Sequence, residues 1–171
     1  MTTSNTAGVT LVTDGACSGN GTDDSRGGWA AILVDAAGEE TVLTGGEFPS
    51  TNNRMELTAV LEGLAATPAG SDVELITDSS YVANALEQGW LDGWRRRGWR
   101  TAAKKPVANR DLWERMVREL SRHEHVRATL VRGHAGHPAN ERADRLAQAA
   151  ALEAEPAAPR RTPGEQLGLD V

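Results

Sequence analysis

Cysteine, histidine and long apolar runs are scarce in this sequence. The chain has 171 residues, of which one is cysteine, Cys17, and four are histidines. A single cysteine excludes an internal disulfide and fits a reducing compartment. His134 and His137 could supply two zinc ligands, but no further pair completes a site. No apolar run approaches the roughly 18 residues that a bilayer span needs, and no targeting segment is visible. We therefore expect a soluble, cytoplasmic protein.

Basic residues are in deficit overall, with a net charge of −6, but they are concentrated in one segment. Between Trp90 and Arg110 there are seven basic residues and one acid, Asp92, whereas the rest of the chain has 11 basic and 23 acidic residues. Such a patch on an acidic body can steer a polyanion to one face. Solvated helix faces are the usual location of charge runs, but the interleaved Trp90, Trp94 and Trp99 favour a nucleic-acid surface here.

Hydrophobic periodicity predicts one α/β domain in the order β-β-β-α-β-α-α-α-β-α. The first strand is an apolar run from Val9 that ends at Asp14; the others are Trp29–Asp35, Glu40–Glu47, Val73–Thr77 and Val126–Val131. The first three strands form an antiparallel meander, and a helical crossover makes the fourth strand parallel to the first. The predicted N-caps are Asn52 or Asn53, Ser79 or Ser80, and Asn109, and the last helix starts at Asn140.

The expected domain covers residues 9–154. Residues 1–8 are polar, and from residue 155 the composition shifts to proline, alanine, arginine and glycine. Segments of this kind do not bury enough apolar surface to fold. We expect both flanking segments, 1–8 and 155–171, to be disordered.

Four carboxylates are predicted to meet at one edge of the sheet. Asp14 and Asp78 end neighbouring parallel strands about 4.8 Å apart, and Glu56 and Asp144 lie in the first turn of two helices. Carboxylates this close raise each other's pKa unless a divalent cation binds them. Oxygen ligands alone favour Mg²⁺ or Mn²⁺ over zinc. Taken singly, each acid is more often a helix-dipole partner or a turn cap.

Five short motifs resemble, in order and spacing, the successive signatures of bacterial ribonuclease HI. They are Thr13-Asp14-Gly15, Thr51-Asn52-Asn53-Arg54-Met55-Glu56-Leu57, Thr77-Asp78-Ser79, Gly133-His134-Ala135-Gly136-His137 and Asn140-Glu141-Arg142-Ala143-Asp144. Residues 94–99 and 104–107 also resemble the basic handle of that family. The resemblance spans roughly residues 9–152 and implies the ribonuclease H-like fold, a five-stranded mixed sheet with strands 1, 4 and 5 parallel.

The resemblance implies hydrolysis of the RNA strand of RNA/DNA hybrids, leaving 5′-phosphate and 3′-hydroxyl ends. Two Mg²⁺ ions, or Mn²⁺, would be held by Asp14, Glu56, Asp78 and Asp144, and His134 would assist proton movement or product departure. The 2′-hydroxyl would be recognised by Cys17, Asn20, Asn52, Asn53 and Glu56. The DNA strand would lie across Tyr81, Trp90 and Trp94, with phosphates bound by Thr51 and Asn109 and by the handle residues Arg95, Arg96 and Arg97.

Two alternatives belong to other functional classes. One is a hybrid-binding module without catalysis, which the four intact acids disfavour. The other is an integrase-like nuclease or strand-transfer enzyme of the same fold, which would not need the tryptophan-rich handle. The chain also departs from the family pattern, with Ser80 where many relatives carry glutamine and with a loop at Gly19–Gly28 that has no proline. We expect a monomer, because no apolar face is left over after the core is assigned.

Overall fold

The computed structural model describes residues 8–19, 22–132 and 136–155, so most of the two segments predicted to be disordered lies outside it. The strands are β1 (Gly8–Ser18), β2 (Arg26–Val34), β3 (Glu40–Glu47), β4 (Asp72–Thr77) and β5 (His125–Leu130). The helices are α1 (Asn52–Ala66), α2 (Ser80–Glu87), α3 (Trp90–Arg96), α4 (Arg110–Arg122) and α5 (Pro138–Glu153). The predicted order of elements is confirmed.

A single five-stranded sheet in the order β3-β2-β1-β4-β5 is the centre of the fold. β1 is antiparallel to β2 and β2 to β3, whereas β4 is parallel to both β1 and β5. Alternate residues of β1 face opposite sides: Leu11 packs in the large core beneath α1, and Val12 packs in a smaller cluster beneath α5. Among the described residues, every helix is too short or too polar to span a bilayer.

Two glycines allow helices to approach the sheet closely. A Cβ atom at Gly15 would lie 2.5 Å from the backbone nitrogen of Glu56 in α1. A Cβ atom at Gly28 would clash with the backbone oxygen of Ala147 in α5. Real Cβ atoms do not come this close to backbone atoms, so both contacts require glycine. α1 and α5 are thereby brought against opposite faces of the sheet beside Asp14.

The first strand does not end at Asp14, contrary to the prediction. β1 continues to Ser18 because β2 continues beside it, with pairs as far as Ser18 and Arg26. The parallel pairing with β4 does stop early, at Val12 and Ile76. Asp14 therefore lies where the parallel neighbour ends and not where its own strand ends.

Two helix starts also differ from the prediction. Thr51, and not Asn52 or Asn53, caps α1, because its Oγ1 accepts a hydrogen bond from the Arg54 backbone N–H at 3.2 Å. α5 begins at Pro138 instead of Asn140, with His137 as its cap. The acids predicted in first turns, Glu56 and Asp144, consequently lie about one turn further along their helices. Of the two predicted caps of α2, Ser79 and Ser80, the structure has Ser79.

Candidate active site

Three carboxylates converge at the edge of the sheet where β4 ends. Asp14 and Asp78 each follow the last β1–β4 pair, Val12 and Ile76, by two residues, so Asp14 within β1 lies level with Asp78, the residue directly after β4. Glu56 reaches the same point from α1. One oxygen atom from each of Asp14, Glu56 and Asp78 lies within 4.8 Å of the others. We call the open depression of about 380 Å³ above them the carboxylate cleft.

The turn after β4 is fixed by short-range hydrogen bonds. The Thr77 Oγ1 accepts a hydrogen bond from the Ser79 backbone N–H at 3.0 Å, and the Ser79 Oγ accepts one from the Val82 N–H at 3.2 Å. Asp78 lies between these two polar side chains at the transition from strand to helix. These two hydrogen bonds fix the backbone on both sides of Asp78 and thereby position its carboxylate.

The cleft is electrostatically unfavourable for its own carboxylates. Asp14 is 2% exposed, and burial together with the negative charge of Asp78 raises its pKa to about 7, although a hydrogen bond with Glu56 opposes the rise. Burial and the charge of Asp14 also raise the pKa of Glu56 well above its usual range. Within the described ranges, none of Asp14, Glu56 and Asp78 forms an ion pair with lysine or arginine.

A divalent cation fits this donor set. The side chain of Glu56 is 9% exposed, and among the described residues its Oε2 atom has no hydrogen-bond partner, so a buried acceptor is left unsatisfied. Buried polar atoms are normally paired, and an unpaired carboxylate oxygen among other carboxylates matches a metal ligand. Oxygen donors alone are typical of hard cations such as Mg²⁺ or Mn²⁺.

Asp144 approaches the cluster from α5, on the opposite face of the sheet from α1. It lines the carboxylate cleft, but it is not one of the three carboxylates whose oxygen atoms lie within 4.8 Å of one another, so its place as a fourth ligand stays a prediction. The Gln148 Nε2 donates to its Oδ2 at 3.1 Å. The sequence analysis did not predict this contact of Gln148. Its spacing of four residues from Asp144 on a predicted helix could have indicated it, because side chains four residues apart on a helix are neighbours.

Four of the five predicted 2′-hydroxyl contacts lie in or beside the carboxylate cleft: Cys17, Asn52, Asn53 and Glu56. Asn52 and Asn53 line it. Cys17 is half-buried in an adjoining pocket, where its thiol donates to the Ser50 carbonyl at 3.4 Å and burial raises its pKa. Asn20 lies outside the described residues, so its contact stays a prediction.

His134, the predicted proton carrier, also lies outside the described residues. Its role therefore stays a prediction.

The predicted phosphate contacts, Thr51 and Asn109, are the N-cap residues of α1 and α4, and an ion pair joins the first turns of these two helices. Arg54 in α1 donates from Nη1 and Nη2 to the carboxylate of Asp111 in α4 at 3.1 and 2.9 Å. Arg54 also bonds to Glu47 at 2.7 Å. Asn109 has φ 57° and makes no side-chain cap bond. The bond between Arg54 and Asp111 thus holds the N-terminal ends of α1 and α4 together, and the phosphate contacts of Thr51 and Asn109 stay predictions.

The segment Trp90–Arg110, which we call the basic handle, consists of α3 and a looped extension. Its seven basic residues are all exposed. Within the described part of the chain, only Arg110 of the seven forms an ion pair, with Glu114 at 2.9 Å. The other six cations therefore have no carboxylate partner in that part of the chain, and their contact with phosphate stays a prediction.

The tryptophans divide between core and surface. Trp113 is fully buried, and Trp29 and Trp99 are partly buried against the core. Trp90 is 40% exposed, whereas Trp94 is only 9% exposed and packs between Trp90 and Trp113. Trp90 is thus the more accessible of the two tryptophans predicted to contact DNA, and both contacts stay predictions.

The sheet order together with carboxylates from β1, β4 and α1 defines the class: this is a protein of the ribonuclease H-like fold. A sequence model described as RNase H matches residues 6–152. The chain belongs to the ribonuclease H family.

Bacterial relatives are similar over most of their length. The ribonuclease H of Thermus thermophilus is 54% identical over 140 residues, which cover 82% of this chain and 81% of the relative. The ribonuclease H of Nitratidesulfovibrio vulgaris (strain DP4) is 56% identical over 143 residues, covering 84% and 88%.

Solved structures agree with this assignment. The crystal structure of LC9-RNase H1, described as a type 1 RNase H with the type 2 active-site motif, superposes with a TM-score of 0.75 at 31% identity, covering 89% of this chain and 75% of that one. The solution structure of the PFV RNase H domain has a TM-score of 0.67 at 23% identity, and the match covers 86% of this chain and 96% of that domain. The second likeness shows the fold alone.

Proposed function

We propose that this protein is an endonuclease that hydrolyses the RNA strand of RNA/DNA hybrids with two divalent cations. The observation that carries the proposal is the meeting of Asp14, Glu56 and Asp78 within 4.8 Å in a chain of the ribonuclease H family. The unsatisfied Glu56 oxygen and the raised pKa values support it, because bound cations would relieve both.

Asp14, Glu56, Asp78 and Asp144 are the proposed metal ligands, with Asp14 between the others. When bound, Mg²⁺ or Mn²⁺ ions would supply an activated water and charge stabilisation at the leaving 3′ oxygen. Hydrolysis forms a bond between phosphorus and the water oxygen and breaks the bond between phosphorus and O3′. The products are a 5′-phosphate and a 3′-hydroxyl. His134 is the proposed residue for proton movement or product release.

Substrate choice is proposed to depend on both strands. Cys17, Asn20, Asn52 and Asn53, with Glu56, would contact the 2′-hydroxyls of the RNA in the wide minor groove of the hybrid. The DNA strand would lie across the aromatic side chains and the basic handle, where contacts with phosphate position the duplex without recognising its sequence. The residues proposed to contact the DNA strand are Thr51, Tyr81, Trp90, Trp94, Arg95, Arg96, Arg97 and Asn109. We propose that the protein acts as a cytoplasmic monomer.

The first test compares a hybrid, duplex RNA, duplex DNA and single-stranded RNA, each with Mg²⁺ and with a chelator. We expect cutting of the RNA strand in the hybrid alone, and only with the metal. A hybrid that is bound but never cut would indicate a binding module, and cutting of duplex DNA would indicate another nuclease of the same fold.

The metal-ligand assignment is tested in the same assay with the variant Asp78→Asn, which removes one carboxylate charge and keeps the side-chain shape. We expect it to fold and to bind the hybrid but to lose at least about a thousandfold in cleavage rate, because metal-assisted chemistry depends on the complete ligand set. Asp24→Asn, at an exposed position of the β1–β2 connection, is the control and should cut normally. Cleavage at the wild-type rate by Asp78→Asn would overturn the ligand assignment.

A further inference from the structure

The hydroxyl of Tyr81 is held by a tryptophan from another helix. Tyr81 is in the first turn of α2, three residues after Asp78, and it lines the carboxylate cleft. Trp113 is in α4 and is fully buried. Its Nε1–H donates a hydrogen bond to the Tyr81 Oη at 2.8 Å.

The chemistry of the two groups fixes the direction of this bond. An indole nitrogen is only a donor, whereas a phenol oxygen accepts two hydrogen bonds and donates one. Tyr81 is therefore the acceptor, and its own proton is not used in the bond. In residues 8–19, 22–132 and 136–155 that proton has no hydrogen-bond acceptor. It is available to a ligand in the carboxylate cleft.

The indole of Trp113 is itself immobilised. Its ring makes an edge contact with Tyr81 at 5.5 Å between centroids and 71° between planes. It makes another with Trp94 at 5.2 Å and 67°. Trp94 in turn contacts the exposed Trp90 at 6.4 Å. A continuous row of aromatic rings therefore links the cleft with the basic handle, and Trp113 is its buried centre.

We propose that Trp113 is a positioning residue, which holds the Tyr81 hydroxyl so that its proton is donated to a backbone oxygen of the bound nucleic acid. The inference rests on the proposed function, since that function supplies the duplex. Trp113 does not touch the substrate and acts through Tyr81. A purely structural tryptophan would stabilise the core without affecting the hydroxyl.

A double-mutant cycle separates the two roles. Tyr81→Phe removes the hydroxyl and keeps the ring, and Trp113→Phe removes the indole donor and keeps an aromatic side chain. For a short hybrid with Mg²⁺ we expect Tyr81→Phe to raise KM about three- to tenfold and Trp113→Phe about two- to fivefold. The double variant should have the KM of Tyr81→Phe, and kcat should stay within about twofold throughout.

The control for impaired packing is Met116→Ala, at a fully buried position of α4. It should lower the unfolding temperature and leave KM unchanged when assayed well below that temperature. The inference would be overturned if the two aromatic substitutions had additive effects on KM. It would also be overturned if Met116→Ala changed KM as much as Trp113→Phe does, because Trp113 would then contribute only to core packing. Failure of the wild-type protein to cut the hybrid would instead overturn the proposed function.

Nuclear magnetic resonance provides a second readout if Trp113→Phe does not fold. The chain has five tryptophans, and the indole N–H signal of Trp113 should be the one displaced by Tyr81→Phe. Adding the hybrid with a chelator should shift that signal in the wild type, because the bond to Tyr81 changes when the hydroxyl donates to the substrate. A signal that does not respond to saturating hybrid would overturn the inference.

Discussion

At the scale of single residues, the proposed role of Asp14 as a metal ligand comes at the expense of the stability of the metal-free protein. The carboxyl is buried beside two other acids, and its pKa is raised to about 7. A raised pKa in the folded state means that the native protein holds its proton more tightly than the unfolded chain does. The free energy of unfolding of the metal-free protein therefore falls as pH rises from about 4, the ordinary carboxyl pKa, towards 7.

Asp14→Asn should remove this penalty. With a chelator at pH 8, we expect the variant to be more stable than the wild type by on the order of 2 kcal/mol, because the buried charge is absent. At pH 4 the difference should largely disappear, since the wild-type carboxyl is then protonated in the native state and about half protonated in the unfolded chain. Urea unfolding at the two pH values measures the change, and the exposed Asp24→Asn serves as the control.

Mg²⁺ should oppose this difference in stability between the wild type and Asp14→Asn. Ions that bind only the native state stabilise it by an amount that grows with the ratio of their concentration to the dissociation constant. The metal should therefore raise the unfolding temperature of the wild type more than that of Asp14→Asn, which binds it more weakly. Equal stability of the wild type and Asp14→Asn in chelator at pH 8 would mean that burial does not raise the pKa of Asp14 in the folded protein.

At the scale of elements, the position of Glu56 depends on how closely α1 approaches β1. The added Cβ of Gly15→Ala would meet the Glu56 backbone nitrogen at 2.5 Å and the Met55 carbonyl carbon at 2.6 Å. Backbone atoms cannot yield as a flexible side chain can, so α1 must move away. We expect a loss of about 1–3 kcal/mol in unfolding free energy and a larger proportional loss of activity.

Gly8→Ala is the matched control, because a Cβ there would have no atom within 4 Å. It should alter neither stability nor cleavage. The decisive comparison is the Mg²⁺ concentration for half-maximal activity, which should rise in Gly15→Ala as Glu56 is displaced. An unchanged value would mean that the close approach serves packing alone.

Element boundaries were predictable where the chain itself determines them. Glu40–Glu47 and the Ser79 cap were predicted correctly, since alternation and a capping hydroxyl are local signals. The extension of β1 to Ser18 was not predicted, because it depends on the pairing with β2. The four acids could be proposed from residue type and topology, but the hydrogen bond between Trp113 and Tyr81 joins residues 32 positions apart and left no sequence pattern.

At the scale of the whole molecule, charge is separated between the basic handle and an acidic body. The net charge is −6, yet all seven basic residues of the handle are exposed and only Arg110 is ion-paired within the described residues. The acidic body repels a polyanion, and the handle attracts it over a limited area. We therefore expect the duplex to bind on one side of the protein, where Trp90 and the carboxylate cleft are connected by the aromatic row.

This separation predicts how salt affects binding. Replacing Arg95, Arg96 and Arg97 by glutamine should weaken binding of the hybrid in chelator and flatten the plot of log affinity against log salt, by about one unit or less for each phosphate that is no longer bound. The same replacement of Arg118, Arg122 and Arg127 removes equal charge from α4 and β5 and should leave the slope nearly unchanged. If both triple variants lowered the slope of this plot equally, net charge alone would explain the effect. A lower slope only for the variant at Arg95, Arg96 and Arg97 would place the duplex on the handle.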